Sequence, residues 1–220
     1  LREAGAVIEG IGGSVLIVQG GHELHGIRFK IPADRIVAAT YVMGVLGTGG
    51  HIFLEDAPIS QMESVIRAAR QIGAEITVSR EGLNVMAEEE RNAIPFIRTE
   101  VYPGFPTDVQ SLLMAVLTTA KGVSVIEERI FENRFRIAPE LRRMGAVIEL
   151  QGDHQALIAG TDYLIGCRVR ASELRGGAAL VIAGAMAQGE TIIENRHFIE
   201  RGYEDITRDL RELGVTVFTE

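Results

Sequence analysis

The chain has 220 residues, 46% of them hydrophobic, enough to bury a substantial core as one large domain or two small ones. Acidic residues outnumber basic ones by 30 to 22, and the net charge of −8 argues against a nucleic-acid surface. The longest apolar run, "AALVIAGAMA" at 178–187, is too short to span a bilayer.

Leu1 opens "LREAGA", which reads as the last turn of a helix, and no cationic, apolar signal segment is present. The start therefore reads as part of a longer protein. Next comes a hairpin, "AVIEGIGGSVLIVQG". Three similar segments follow, from Ala33, Thr107 and Ser172. Each opens with an acid, Asp34, Asp108 or Glu173, and a helix that is apolar nearly all round, so it must be buried on all sides. A glycine follows (Gly50, Gly122, Gly189), then a short strand: "HIFLE", "VSVIE" or "TIIE". An amphipathic helix comes next, ended by Gly73, Gly145 or Gly214. In the first unit that helix has a capping-box pattern, Ser60 to Glu63, and an apolar stripe of Met62, Val65, Ile66, Ala69 and Ile72. A hairpin closes the first two units, as in "AEITVSREGLNVMA". The third, ending in "GVTVFTE", lacks one, and the hairpin within residues 6–31 is expected to fill that place, in the same chain or exchanged between two chains.

The expected architecture is α/β: three buried helices inside outward-facing sheets, with pseudo-threefold symmetry. This differs from a doubly wound parallel sheet, in which helices cover the outside. "GTGG" at 47–50 follows a helix and reads as a cap, not a phosphate loop. The five histidines show no ligand spacing, so neither metal nor cofactor is expected. Cys167 alone allows no internal disulfide and fits a reducing cytoplasm. In "IGCRVRA" it reads as the inward thiol of a strand, with a nucleophile as the sharper alternative.

The repeat acts as an internal control. Features in all three units belong to the scaffold, and features in one are candidates for chemistry. Asp34, Asp108 and Glu173 share a capping role as the plain reading. The arginines are less evenly spread. Asn133-Arg134 and Arg201-Gly202 precede the outer helices of units two and three, where unit one has Ser60-Gln61. Arg175 faces Ile36 and Gln110 in the other two units. Lys30 and Lys121 are the only lysines, so the bases are almost all arginine. Either that is a compositional habit, or these forks bind a carboxylate or phosphate bidentately.

"GFPTDVQ" (104–110), "IFENRFRIAPELRRMGA" (130–146), "ASELRGGAAL" (171–180) and "ERGYEDI" (200–206) closely resemble the UDP-N-acetylglucosamine enolpyruvyl transferases of bacterial wall synthesis. Enolpyruvylshikimate phosphate synthases share the fold but not the "FPTD" or "FENR" wording. The resemblance implies an inside-out, barrel-like α/β domain, and makes this chain the C-terminal half of an enzyme about twice as long. Residues 1–32 would be a hairpin remnant of the preceding domain with the crossover, and 33–220 a domain of three pseudo-repeats. The missing N-terminal half, a partner in the reaction, would carry the reactive cysteine and an essential lysine, so this chain alone would be inactive.

The implied reaction moves an enolpyruvyl group from phosphoenolpyruvate to the 3′-hydroxyl of UDP-N-acetylglucosamine and releases phosphate, in the cytoplasm and without a cofactor. By resemblance Arg175 and Arg201 clamp phosphoenolpyruvate, Arg134 lines the same pocket, and Asp108 is the base on the 3′-hydroxyl. Ile130, through its backbone, and Phe131 contact the sugar nucleotide. The family has aspartate where Glu173 stands here; the longer side chain either shifts Arg175 or serves as a cap. A non-catalytic half-domain that only holds the sugar nucleotide is the alternative.

Overall fold

A computed structural model describes residues 1–219, which form two compact units, Leu1–Pro32 and Ala33–Glu220. In the first, a turn at the N-terminus (Ala6 N–H to Leu1 C=O, 3.0 Å) leads into β1 (Val7–Glu9) and β2 (Ile17–Gln19), paired antiparallel. Val15, Leu16, Ile17 and Val18 are exposed.

The second unit holds the three repeats. The first runs α1 (Arg35–Thr48), β3 (Gly50–Glu55), α2 (Glu63–Ile72), β4 (Glu75–Val78) and β5 (Gly82–Ala87). A short β6 (Ile97–Arg98) precedes the second: α3 (Thr107–Leu117), β7 (Val123–Glu127), α4 (Ala138–Arg143), β8 (Val147–Gln151) and β9 (Gln155–Ala159). The third has β10 (Arg168–Arg170), α5 (Leu174–Met186), β11 (Ile192–Glu194), α6 (His197–Glu200) and α7 (Ile206–Glu212).

The fully apolar helices are the inner ones, as their composition requires. Every residue of α3 from Val109 to Leu117 is buried, and α1, α3 and α5 pack against one another. Small residues bring them close: a Cβ on Gly47 would lie 2.7 Å from Met186 Sδ. The sheets run β3-β5-β4, β6-β7-β9-β8 and β10-β11, with no closed barrel among the described residues. They alternate, as one-sided sheets do. Leu83, Val85 and Ala87 of β5 are buried while Met86 is exposed, and β5 packs on α1 as β9 packs on α3. This is the inside-out arrangement expected from the sequence, with the apolar helices within and the sheets outside. No helix among the described residues is long and apolar enough to cross a membrane.

Gly73, Gly145 and Gly214 all take positive φ at the ends of α2, α4 and α7, where a side chain would be strained. Gly49 caps α1, whereas α3 and α5 end at Thr118 and Ala187, ahead of Gly122 and Gly189. The capping box does not form. Ser60 lies in a 3-10 turn, and α2 starts after Met62, which is wholly buried in the core and has no side-chain oxygen to cap the helix. Cys167 sits just before β10, half-buried on the same face as Val169, its thiol 3.7 Å from the Arg143 carbonyl. Among the described residues no strand follows α7, and β1 and β2 pair with each other.

Candidate active site

Asp34 and Asp108 look alike in sequence and fold differently. Asp34 is the N-cap of α1, its Oδ1 accepting the Ile36 and Val37 amides at 2.7 and 3.3 Å. At α3 the N-cap position falls on Pro106, which offers no side-chain acceptor, and Asp108 sits inside the first turn. Its carboxylate is thus free to turn outward. Oδ1 accepts from Arg134 Nη2 at 2.8 Å and Oδ2 from Arg175 Nη2 at 3.2 Å. The guanidiniums are mostly covered, with side chains 14% and 17% exposed, while Asp108 at 36% remains reachable. Here the helix N-terminus and two cations converge on one carboxylate.

Each arginine is held by its own element. Arg134 follows Asn133, whose φ of +54° turns the chain from strand to helix. It also donates to the Thr107 carbonyl at 3.3 Å and lies over the Phe131 ring, 5.3 Å from its centroid. Arg175 lies in the first turn of α5, capped by Glu173, which accepts the Arg175 amide at 2.7 Å and the Gly176 amide beside it. The longer acid therefore serves as a cap. Gly176 makes this possible: a Cβ there would stand 2.6 Å from Glu173 Oε1.

Arg201, at the end of α6, is exposed, and its guanidinium makes no hydrogen bond or ion pair among the described residues, so it does not join the Asp108 cluster directly. Its turn still packs beside Arg175. A Cβ on Gly202 would be 2.8 Å from Leu174, and buried Tyr203 places its hydroxyl 2.7 Å from Thr40 Oγ1. Burial pushes the Tyr203 hydroxyl up in pKa, opposed by its bonds to Thr40 and Arg175.

Arg134 and Arg201 both precede the outer helices of their units, α4 and α7. The left-handed non-glycine residues among those described are Asp56, Asn133 and Asn195, and the arginine that follows Asn195, Arg196, is an exposed side chain paired with Glu200.

Ile130 and Phe131 are exposed on the loop before Asn133. A cleft of about 710 Å³ borders Ile130, with Arg129, Thr99 and Tyr102 also on its wall. The organiser of this loop is a residue the sequence reading passed over. Glu128 is fully buried and accepts from Thr99 Oγ1 (2.7 Å), Thr107 Oγ1 (2.9 Å) and the amides of Ile130 (2.8 Å) and Phe131 (3.0 Å). Its neighbour Glu127 faces out, and the Arg98 hydrogen bond, with Arg129 adding to it, holds that carboxyl below the usual range.

A family model described as EPSP synthase (3-phosphoshikimate 1-carboxyvinyltransferase) matches residues 1–210. UDP-N-acetylglucosamine 1-carboxyvinyltransferase 1 of Caldanaerobacter subterraneus subsp. tengcongensis is 41% identical over 218 residues, 99% of this chain and 52% of that protein. The chain thus spans about half the length of that relative. UDP-N-acetylglucosamine 1-carboxyvinyltransferase of Desulfofundulus thermocisternus is 43% identical over 215 residues, covering 97% of this chain and 88% of that one. Among solved structures, the enolpyruvyl transferase NikO from Streptomyces tendae aligns with a TM-score of 0.84 at 23% identity, over 98% of this chain and 51% of its own. EPSP synthase from Acinetobacter baumannii aligns at 0.65 and 22%, over 87% of this chain and 44% of its own; at such identities these two share the fold. On the family match and the Desulfofundulus relative together, the chain belongs to the EPSP synthase family of carboxyvinyl transferases, among the UDP-N-acetylglucosamine 1-carboxyvinyltransferases.

Proposed function

We propose that this chain is the C-terminal half of a cytoplasmic enzyme that transfers the enolpyruvyl group of phosphoenolpyruvate to the 3′-hydroxyl of UDP-N-acetylglucosamine, releasing phosphate, for bacterial wall synthesis. The observation that carries the reading is the Asp108 carboxylate held between Arg134 and Arg175 at the start of a buried helix. Phosphoenolpyruvate brings a phosphate and a carboxylate that compete for Arg175, with Arg201 on the adjacent turn as the second clamp. That competition releases an Asp108 oxygen to the 3′-hydroxyl. Asp108 takes the hydroxyl proton as the oxygen adds to C2 of phosphoenolpyruvate and C3 is protonated. Loss of phosphate and of a C3 proton from the tetrahedral intermediate restores the double bond.

Arg134 keeps the charge of Asp108 balanced, Glu173 fixes the first turn that carries Arg175, and Ile130 and Phe131 contact the sugar nucleotide. The N-terminal half completes the site, and the chain alone does not turn over. The test is phosphate release from phosphoenolpyruvate, dependent on UDP-N-acetylglucosamine, in the full-length enzyme and in its Asp108→Asn variant. Sugar-nucleotide binding without phosphate release from the parent would instead make this a non-catalytic binding half.

A further inference from the structure

We propose that Glu128 is a positioning residue that ties the loop presenting Ile130 and Phe131 to the helix turn presenting Asp108, and so sets the spacing between sugar-nucleotide contacts and base. The proposal rests on the functional reading above. Its grounds are structural and lie in the comparison of the repeats. In unit one β3 ends at Glu55, opposite Gly82, and left-handed Asp56 follows at once. In unit three β11 ends at Glu194 and left-handed Asn195 follows at once. In unit two β7 ends at the equivalent Glu127, opposite Gln155, but residues 128–132 intervene before left-handed Asn133. Glu55 to Gly73 and Glu127 to Gly145 span the same number of residues, so unit two gains none; it spends residues 128–132 on a loop where the other two units turn at once, and that loop is particular to unit two.

A loop between strand and turn has no ladder partner for its amides, and side chains supply one here. Thr99 Oγ1 accepts the Arg129 amide at 2.9 Å, and Glu128 Oε1 accepts those of Ile130 and Phe131. The other oxygen, Oε2, reaches across to Thr107, the residue before Asp108. Burying a carboxylate is costly unless its acceptor sites are filled, and here four donors fill them. The loop and the helix start, though remote in sequence, thereby move as one piece.

The test uses the full-length enzyme with three variants: Glu128→Ala, Glu128→Gln and Thr107→Val. Thr107→Val cuts only the bond to the helix. Glu128→Ala frees the loop as well. Both should raise KM for UDP-N-acetylglucosamine about tenfold, with KM for phosphoenolpyruvate within about twofold, the scale of one lost charge-assisted hydrogen bond. Glu128→Gln should restore most of the loss. Its amide oxygen keeps the loop donors, and its NH₂ donates to the Thr107 hydroxyl.

Hydrogen exchange at the 129–131 amides, faster in Glu128→Ala, reads the clamp without any turnover. Unchanged exchange, an unchanged KM in Thr107→Val, or equal losses for both substrates would overturn the proposal while leaving the reaction assignment standing. A parent that neither turns over nor binds the sugar nucleotide would remove the functional reading and the positioning role with it. Should Glu128→Ala fail to fold, Thr107→Val, which keeps the buried carboxylate and its loop bonds, decides the matter.

Discussion

In the first repeat the acid at the inner-helix start is spent on the scaffold. Asp34 caps α1 and pairs with no arginine among the described residues, and β3 passes straight into its turn. The second repeat keeps the same helix, strand and hairpin but shifts two things. A proline takes the cap position, so the acid two residues further in is released to meet Arg134 and Arg175, and residues 128–132 form a loop before the left-handed Asn133 where unit one turns at once. A pseudo-symmetric scaffold becomes an asymmetric site by changing helix starts and turns, where backbone groups point outward, while the apolar layer stays alike.

The sharpest way to break this comparison is to make one change in both units. Asp108→Asn should lower turnover of the full-length enzyme by about 10²–10⁴-fold, the range for loss of a general base, with little change in melting temperature. Asp34→Asn should leave turnover within a few-fold, because an amide caps a helix as well as a carboxylate does. Similar activity losses in the two would put Asp108 back among the caps.

Next in size are the arginines. Arg175→Lys and Arg201→Lys should each raise KM for phosphoenolpyruvate about tenfold although charge is kept, since the two-pronged contact is lost. Arg134→Lys should lower kcat, while Arg196→Lys, which likewise follows a left-handed Asn but sits in an exposed pair, should change neither parameter. Steady-state kinetics in both substrates separates these outcomes. An effect of Arg196→Lys as large as that of Arg134→Lys would mean the two turns are not functionally distinct.

A smaller effect concerns Glu173 and Gly176, which fit each other sterically. Gly176→Ala should displace the long carboxylate from its cap, and Glu173→Asp should restore it, giving a favourable coupling of about 1 kcal/mol in a double-mutant cycle by chemical denaturation. Strict additivity would show that the cap tolerates the extra methyl group without moving.

Much of this could be read from the chain. Inner helices announce themselves because nothing polar interrupts Leu112 to Leu117 or Ala178 to Met186, and turns because glycine alone suits positive φ at positions 73, 145 and 214. What stayed hidden depends on residues distant in sequence. Glu127 and Glu128 are neighbours of one type, and only the hydroxyls of Thr99 and Thr107, brought from elsewhere, make the second a buried anchor. The loop at 128–132 also hides the left-handed turn of unit two, which comes only at Asn133, whereas units one and three turn at once after the strand. Asp108, Arg134 and Arg175 were each singled out, but their meeting at one carboxylate is a property of the packed inner helices.

The smallest prediction turns on a signal that misled. Ser60 with Glu63 has the spacing of a capping box, yet the residue at the head of α2 is Met62, and the Ser60 hydroxyl has no partner among the described residues. A box needs its serine in extended backbone just outside the first turn, with its oxygen over the N3 amide. Here Pro58 and the 3-10 turn Ile59–Gln61 carry the chain in already wound, and burial of Met62 fixes where the helix starts. Ser60→Ala should therefore change stability by less than about 0.5 kcal/mol, as a surface substitution does. Asp34→Ala, which removes an acceptor from the Ile36 and Val37 amides, should cost about 1 kcal/mol. Urea midpoints at constant m-value measure both. If Ser60→Ala matched Asp34→Ala, the hydroxyl would be capping α2 in solution, and the outer helices would start by the same rule as the inner ones.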